Sequence, residues 1–173
     1  MRSIDPSHSD YQDCLKGYLS TADAIFCTVG STEPLFPASY VLSEGRKRQP
    51  YVSAVGSWQP DMIELDPELL HQTVKGISSG SRAGSVLADD RKYVLEHSGE
   101  FARSKIGAEN VVEIGEIENL QDSETDKEPL ENWMKDGLLV YKSVGVGLTD
   151  LAASNAIMAI AKQRQLGTTI SQF

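Results

Sequence analysis

Three short segments combine glycine with hydroxyl side chains, and each directly follows an apolar run. They are Thr28, Val29, Gly30 and Ser31; Val55, Gly56 and Ser57; and residues 143–147, which begin with Ser143 and Val144. Glycine lets the backbone approach a ribose or a flat ring closely, and hydroxyl groups can bond to it. The first segment is therefore a candidate binding loop, although a plain turn explains it equally well.

The apolar runs before these segments are predicted to be buried strands. We predict strands at 24–28, 51–55, 86–88 and 138–141. Because helical patterns alternate with them, we expect an α/β fold: a partial Rossmann-like parallel sheet made of the later strands, with a long C-terminal helix. Ligands bind beyond the carboxyl ends of parallel strands, which is where the three segments lie.

Helix signals complete the predicted pattern. Asp66 with Pro67 opens a short helix, and Asp89 or Asp90 can cap another that runs through His97, with Gly99 as its C′ residue. A long helix is predicted from Thr149 to about Gln165, closed by Gly167. It is apolar nearly all round, so we expect it to be buried against more than one surface, as core or as a subunit contact.

Two stretches interrupt the alternation and are predicted to be surface excursions. Residues 76–85 are rich in glycine and serine. Residues 113–136 hold nine carboxylates and two lysines, and so carry seven of the nine net negative charges. We expect this acidic stretch to be a solvated loop, with an interaction tail as the alternative.

Composition excludes several classes of function. A net charge of -9 disfavours binding to nucleic acid and to anionic membranes. Cys14 and Cys27 lack zinc or disulfide spacing, so we expect no metal and a reducing compartment. Since no apolar run approaches the ~18 residues of a membrane span, a cytoplasmic location is expected. His8, His71 and His97 are scattered, and a surface role is favoured over a general base for His97.

A phosphate-binding turn is missing. Gly145 and Gly147 follow a predicted strand and open a helix, but the third glycine position holds Asp150, whose carboxylate would repel a pyrophosphate. The Gly-x-Gly-x-x-Gly pattern occurs nowhere else in the 173 residues. The element that usually holds the pyrophosphate of a dinucleotide is therefore expected to be absent.

Four phrases, in order and with compatible spacing, resemble the ornithine cyclodeaminase/mu-crystallin family. They are ADAIFCTVGSTEPLFP (22–37), YVSAVGSWQPDMIELD (51–66), VVEIGEI (111–117) and LLVYKSVGVGLTDLAA (139–153). The resemblance spans 22–169 and matches only the later half of such proteins, which suggests N-terminal truncation. It implies that residues 1–147 form a partial NAD(P)-binding domain and that 148–173 form a helix packing on a dimerisation and substrate domain.

The resemblance also implies roles for the three segments. Thr28 would lie by the cofactor, Val55, Gly56 and Ser57 would line the nicotinamide pocket, and Ser143 and Val144 would face the cofactor and the substrate. We assign Val144 to the substrate. The residues assigned to the cofactor, NAD or NADP, are Thr28, Val29, Gly30, Ser31, Val55, Gly56, Ser57 and Ser143. The implied substrate is a small amino acid or a cyclic imine, and the implied assembly is a homodimer.

The sequence departs from the family pattern near Trp58. Cyclodeaminases and related alanine dehydrogenases carry an acid/base aspartate where this chain has Trp58 or its neighbour Gln59, and an indole cannot shuttle a proton. A lysine that assists cyclodeaminases is replaced by Met62, as in the mu-crystallin and ketimine reductase branch. Asp61 lies close, but nothing in the sequence shows that it substitutes, so the catalytic residues stay unassigned.

Three functions remain open at this point. The first is an NAD(P)-dependent oxidoreductase of the imine reductase or cyclodeaminase type, in which the cofactor does the chemistry and the loops position it. The second is a non-catalytic binding or interaction protein of the mu-crystallin type. The third is an inactive fragment, because the basic residues that hold the substrate carboxylate in this family lie in the N-terminal half.

Overall fold

A five-stranded parallel sheet organises the chain. In the computed structural model, which describes residues 3–43, 45–46, 48–75, 83–122, 124–145, 147–168 and 170, the strand order is β1-β2-β5-β3-β4. The strands are β1 Ala24–Cys27, β2 Tyr51–Ala54, β3 Val86–Ala88, β4 Val111–Glu113 and β5 Leu139–Lys142. The predicted parallel α/β sheet is confirmed, and four strands lie within one residue of their predicted bounds. Strand β4 was not predicted as a separate strand.

Eight α-helices lie in the described part of the chain. They are α1 Tyr11–Leu19, α2 Ala38–Val41, α3 Pro67–Val74, α4 Arg91–His97, α5 Gly99–Ser104, α6 Ile114–Gln121, α7 Lys127–Asp136 and α8 Gly147–Gln163. Helix α3 begins as predicted, because the Asp66 carboxylate accepts a hydrogen bond from the Glu68 backbone amide at 3.0 Å. At α4 the cap is Asp90, which accepts from the Tyr93 amide at 2.8 Å.

The two faces of the sheet are covered to different extents. Helices α1 to α5 pack their apolar residues on one face, around Val52, Val140 and Val86, and form the main core. On the other face, α7 covers the β3 and β4 end with Leu130 and Trp133. The β1 end of that second face is open. Phe26 on β1 is 70% exposed and touches another ring, that of Tyr51, edge-on at 6.0 Å between ring centres.

The acidic stretch 113–136 corrects one prediction, since it holds α6 and α7 and is not a solvated loop. The apolar residues of these helices pack on the sheet-side cluster, where Leu130 and Trp133 are buried and Ile117 and Leu120 partly so. Most of the carboxylates point outward. High net charge obscured an amphipathic pattern whose apolar positions are few but correctly spaced.

Gly99 is not the C′ residue of α4 but the first residue of α5. Its φ is not positive, so it does not serve the left-handed cap that was predicted. A side chain here would collide with the Met62 backbone carbonyl. The glycine is required by close packing and not by a turn.

The long C-terminal helix differs from a third prediction. It begins at Gly147 and ends at Gln163, about two residues earlier at each end than predicted. None of its residues is buried by the rest of the described chain. The described part of the chain therefore does not bury this helix as core, and its expected alternative, a subunit contact, stays a prediction.

The structure describes only the end of the glycine- and serine-rich segment. Residues 76–82 of the glycine- and serine-rich segment lie outside the described residues, whereas Ser85, at its end, is buried just before β3.

Among the helices that are described, none has both the length and the apolar character needed to cross a membrane.

Candidate functional site

The three predicted loops meet at one edge of the sheet. Strands β1, β2 and β5 are neighbours and run parallel, so the segments after them leave from the same side. The sheet hydrogen bonding continues into these loops: the Val55 amide donates to Cys27 and the Ser143 amide donates to Ala54, both at 3.0 Å. The fold thus brings Thr28, Gly56 and Ser143 together.

The residues of the three loops differ in what they present to solvent. Thr28, Val29, Gly30 and Val55 are exposed, and Ser31 and Gly56 are half-buried. Trp58, just after the second loop, is 53% exposed. The outer surface of this edge therefore combines one hydroxyl with apolar groups, which suits a flat and weakly polar ring.

Ser57, Ser143 and Val144 point inward instead. The Ser57 hydroxyl lies 2.6 Å from both carboxylate oxygens of Glu100, and Val144 belongs to the main core. The Ser143 hydroxyl donates to Asp89 at 2.5 Å. These side chains shape the loops from within.

Asp89 organises the loop after β5. Besides the Ser143 hydroxyl, its carboxylate accepts from the Gly145 amide at 3.1 Å, and Gly145 adopts a positive φ of 89° that favours glycine. In the sequence, Asp89 directly follows a predicted strand, but it is predicted there only as a possible helix cap. Its position at the strand end was the signal that could have identified it.

Glu64 joins the first two loops. One carboxylate oxygen accepts from the Val29 amide at 2.7 Å and the other from the Gly56 amide at 2.6 Å. The loops approach so closely that a side chain at Gly56 would collide with the Val29 backbone and with Glu64. Glycine at position 56 is thus required by this contact.

Glu100 and Lys142 extend the buried polar group. Glu100 accepts from the Ser98 hydroxyl at 2.7 Å and from the Glu64 backbone amide at 2.8 Å. The Lys142 ammonium lies 4.0 Å from the Glu100 carboxylate and donates to the Ser143 carbonyl at 3.0 Å. Burial lowers the pKa of Lys142, while Glu100 and Glu64 oppose that shift. Sequence reasoning missed all three residues, because single charges within apolar runs carry no local signature.

Cys27 does not provide a nucleophile at this edge. Burial, reinforced by Glu64 and Glu100, raises the pKa of its thiol to about 12. The thiol is therefore protonated at neutral pH and acts as a small apolar side chain.

The remaining polar candidates lie apart from one another. Asp61 is exposed, and its backbone carbonyl lies 3.5 Å from the Arg103 guanidinium. His97 stacks on Tyr93 with 4.0 Å between ring centres. Within the described ranges, no three histidine, cysteine, aspartate or glutamate side chains are grouped to hold a metal ion.

Several known proteins are similar in sequence to this chain. No family model matches the chain. It is 29% identical over 170 residues to an uncharacterized cyclodeaminase of Dictyostelium discoideum, covering 94% of this chain and 42% of that protein. It is 29% identical over 150 residues to the mouse ketimine reductase mu-crystallin, covering 86% and 38%. With the Bacillus cereus Delta(1)-pyrroline-2-carboxylate reductase the identity is 26% over 163 residues, covering 88% and 41%.

The chain is similar, over most of its length, to proteins named as a cyclodeaminase, mu-crystallin and pyrroline-2-carboxylate reductase. The resemblance carried by the four sequence phrases is thereby confirmed. The chain spans about two fifths of the length of these relatives.

Solved structures of this group share the fold. A probable ornithine cyclodeaminase from Bordetella pertussis matches with a TM-score of 0.58 and 23% identity, covering 96% of this chain and 52% of that one. The Thermococcus litoralis Delta(1)-pyrroline-2-carboxylate reductase, solved with NADH and L-proline, matches with a TM-score of 0.55 and 18% identity, covering 90% and 42%. The Rossmann-like fold class is confirmed by these matches.

Proposed function

We propose that this chain forms the nicotinamide side of an NAD(P)-dependent oxidoreductase site that acts on cyclic imines or small amino acids. The observation that carries the proposal is the meeting of three loops at the carboxyl edge of β1, β2 and β5. Relatives named as ketimine and pyrroline-2-carboxylate reductases support this reaction class.

Specific roles follow for the exposed loop residues. The Thr28 hydroxyl would bond to the ribose or the carboxamide, Gly30 would let the backbone approach, and Val29 and Val55 would contact the ring face. Gly56, Ser31, Ser57 and Ser143 would shape the pocket, and Val144 would contribute its backbone on the substrate side. A bound nicotinamide would supply or accept the hydride.

The fit is limited to one end of the cofactor. No Gly-x-Gly-x-x-Gly turn occurs in the sequence, so no residue of this chain is assigned to the pyrophosphate. We propose the organisation implied by the resemblance, in which 1–147 is part of an NAD(P)-binding domain and 148–173 packs on a dimerisation and substrate domain. The same organisation implies a homodimer.

Cofactor titration tests the proposal. NADH and NADPH would be titrated into the purified chain, with binding followed by cofactor fluorescence, and Delta(1)-pyrroline-2-carboxylate would then be added while cofactor absorbance is recorded. We expect saturable binding, weakened about 2- to 10-fold by Thr28→Val, which removes one hydrogen bond. Glu131→Gln, on the outer side of α7, serves as the matched control. Absence of binding by a folded sample at millimolar cofactor would overturn the proposal.

A second candidate is ligand binding without turnover. Trp58 favours it, because an exposed indole stands where the loop would otherwise present a proton-shuttling group. The same experiment separates the two functions. Saturable binding with no consumption of NADH or NADPH above background supports the second candidate, and measurable consumption excludes it.

A further inference from the structure

Beneath the candidate site lies a buried polar cluster that the proposed function does not use. Glu64 and Glu100 are fully buried and Lys142 is 1% exposed, so none of the three can touch a ligand. Buried charges are costly to desolvate, and apolar residues of similar size would often stabilise a core equally well. Three charged residues buried together at this place therefore indicate a role other than filling space.

The cluster contacts the loops through their backbones. Glu64 alone bonds to the Val29 and Gly56 amides, which belong to different loops, and it does so with both of its oxygens. Hydrogen bonds from amides to a carboxylate are stronger than those to a neutral acceptor. Glu64 therefore fixes the distance between the loops after β1 and β2.

The third loop is tied to the same cluster. Lys142 donates to the Ala54 carbonyl at 3.3 Å, at the end of β2, and to the Ser143 carbonyl at 3.0 Å, after β5. Glu100 links these ends, since it faces the Lys142 ammonium and also accepts from Ser57 and from the Glu64 amide. All three loops are thereby connected through three buried side chains.

We propose that Glu64, Glu100 and Lys142 are positioning residues that hold the three cofactor loops at fixed spacing. Thr28, Val29, Gly30 and Val55 would owe their placement to this cluster. The inference rests on the proposed function for the identity of the ligand, but the link between the loops is a property of the chain alone.

The first test reads the loops without any ligand. In amide NMR spectra, the Val29 and Gly56 protons are expected far downfield and protected from exchange, because each faces a carboxylate. Glu64→Gln keeps the shape but offers one acceptor oxygen and an amide group to two donors. We expect at least one of the two signals to move upfield and exchange faster, while Glu131→Gln leaves both unchanged. Unchanged signals in Glu64→Gln would overturn the inference.

The second test measures affinity for NADH by fluorescence. We expect Glu64→Gln to weaken binding at least 10-fold at a temperature where the variant is folded. Leu70→Ala, a core variant in α3 away from the loops, destabilises the fold generally and should change affinity less than 2-fold. A wild-type chain that binds, together with a Glu64→Gln variant that binds within 2-fold of it, would contradict the positioning role.

The two proposals fail in distinguishable ways. If the wild-type chain binds no cofactor while the amide signals respond to Glu64→Gln, the proposed function is wrong and the loop link stands. Should Glu64→Gln fail to fold, Ser57→Ala replaces it, since that change removes one hydroxyl bond to Glu100 and leaves both carboxylates in place. We expect Ser57→Ala to weaken NADH binding about 3-fold and to shift the Gly56 amide. An unshifted Gly56 amide would then reject the inference.

Discussion

The buried polar cluster beneath the three loops and helix α8 show opposite combinations of polarity and burial. Glu64, Glu100 and Lys142 are charged and yet buried, and each has partners within the chain. Helix α8 is largely apolar and yet exposed, with Ile157 at 66%. The loops are therefore held by interactions that this chain supplies, whereas α8 presents a surface that the described part of the chain does not cover.

Because of this difference, substitutions in the two regions are expected to have different effects on the chain. Substitutions in the buried cluster should alter folding and loop geometry, because the partners of each removed group stay behind in a dry environment. Substitutions of exposed α8 side chains should hardly affect the free energy of unfolding, because none of these side chains is buried by the described part of the chain.

The largest effect is expected for Glu100→Ala. It leaves the Ser57 and Ser98 hydroxyls without their acceptor and the Lys142 ammonium buried without its nearest counter-charge. Loss of one partner of a buried pair typically costs about 3–5 kcal/mol. Urea denaturation at neutral pH measures the change. Glu131→Gln, exposed on α7, is the control and should lie within about 0.5 kcal/mol of wild type.

Trp133→Ala is expected to lower the free energy of unfolding by about 3 kcal/mol. Trp133 packs with Leu130 against the β3 and β4 end of the sheet, and its indole nitrogen donates to the Leu138 carbonyl at 3.3 Å. The reference is Trp58→Ala, which changes an exposed indole and should be close to neutral. If both variants have the same stability, the acidic segment 113–136 does not pack on the sheet as α6 and α7.

Alkaline pH probes the buried thiol. The folded-state pKa of Cys27 is raised from 9.0 to about 12. The stabilisation from this shift is complete below pH 9 and is lost as the pH rises towards 12, because only the unfolded chain then ionises freely. Lys142, with its lowered pKa, acts in the opposite direction up to its ordinary value of 10.5.

Comparison with Cys27→Ala isolates the thiol. The stability of wild type relative to this variant should fall by about 1–2 kcal/mol between pH 9 and pH 10.5, because the unfolded thiol is half ionised at pH 9 and each further pH unit below the folded pKa is worth about 1.36 kcal/mol. Urea titrations at both pH values provide the measurement, and the Lys142 effect is largely common to the two proteins, since Cys27 is the smallest of the causes acting on its pKa. A pH-independent difference would show that Cys27 is accessible to water in the folded chain.

The sequence predicted those parts of the fold that follow local rules. Apolar runs bounded by Gly56 or Ser143, and caps such as Asp66, depend on neighbours within a few residues. The same holds for the placement of the loops, because parallel strands with helical crossovers must bring their carboxyl ends to one edge. The three predicted loops therefore meet at one edge of the sheet, while their role in binding a cofactor stays a prediction.

What could not be predicted depends on distant contacts. Glu64 meets Val29 across 35 residues, and Ser57 meets Glu100 across 43, and no periodicity encodes such pairs. The resemblance implies that Ser57 lines the nicotinamide pocket, whereas its hydroxyl turns inward to Glu100. The role of Gly99 likewise depends on Met62, which lies far away in the sequence.

The smallest effect on stability is expected for Ile157→Ser on α8. Since Ile157 is mostly exposed, the free energy of unfolding should change by less than about 0.5 kcal/mol. Self-association should nevertheless fall, because contiguous apolar surface drives contacts between molecules. Urea denaturation and sedimentation velocity on the same samples measure the two quantities. Matched destabilisation by Ile157→Ser and by Leu70→Ala would mean that α8 packs on the chain's own core, and the contrast between the two regions would no longer hold.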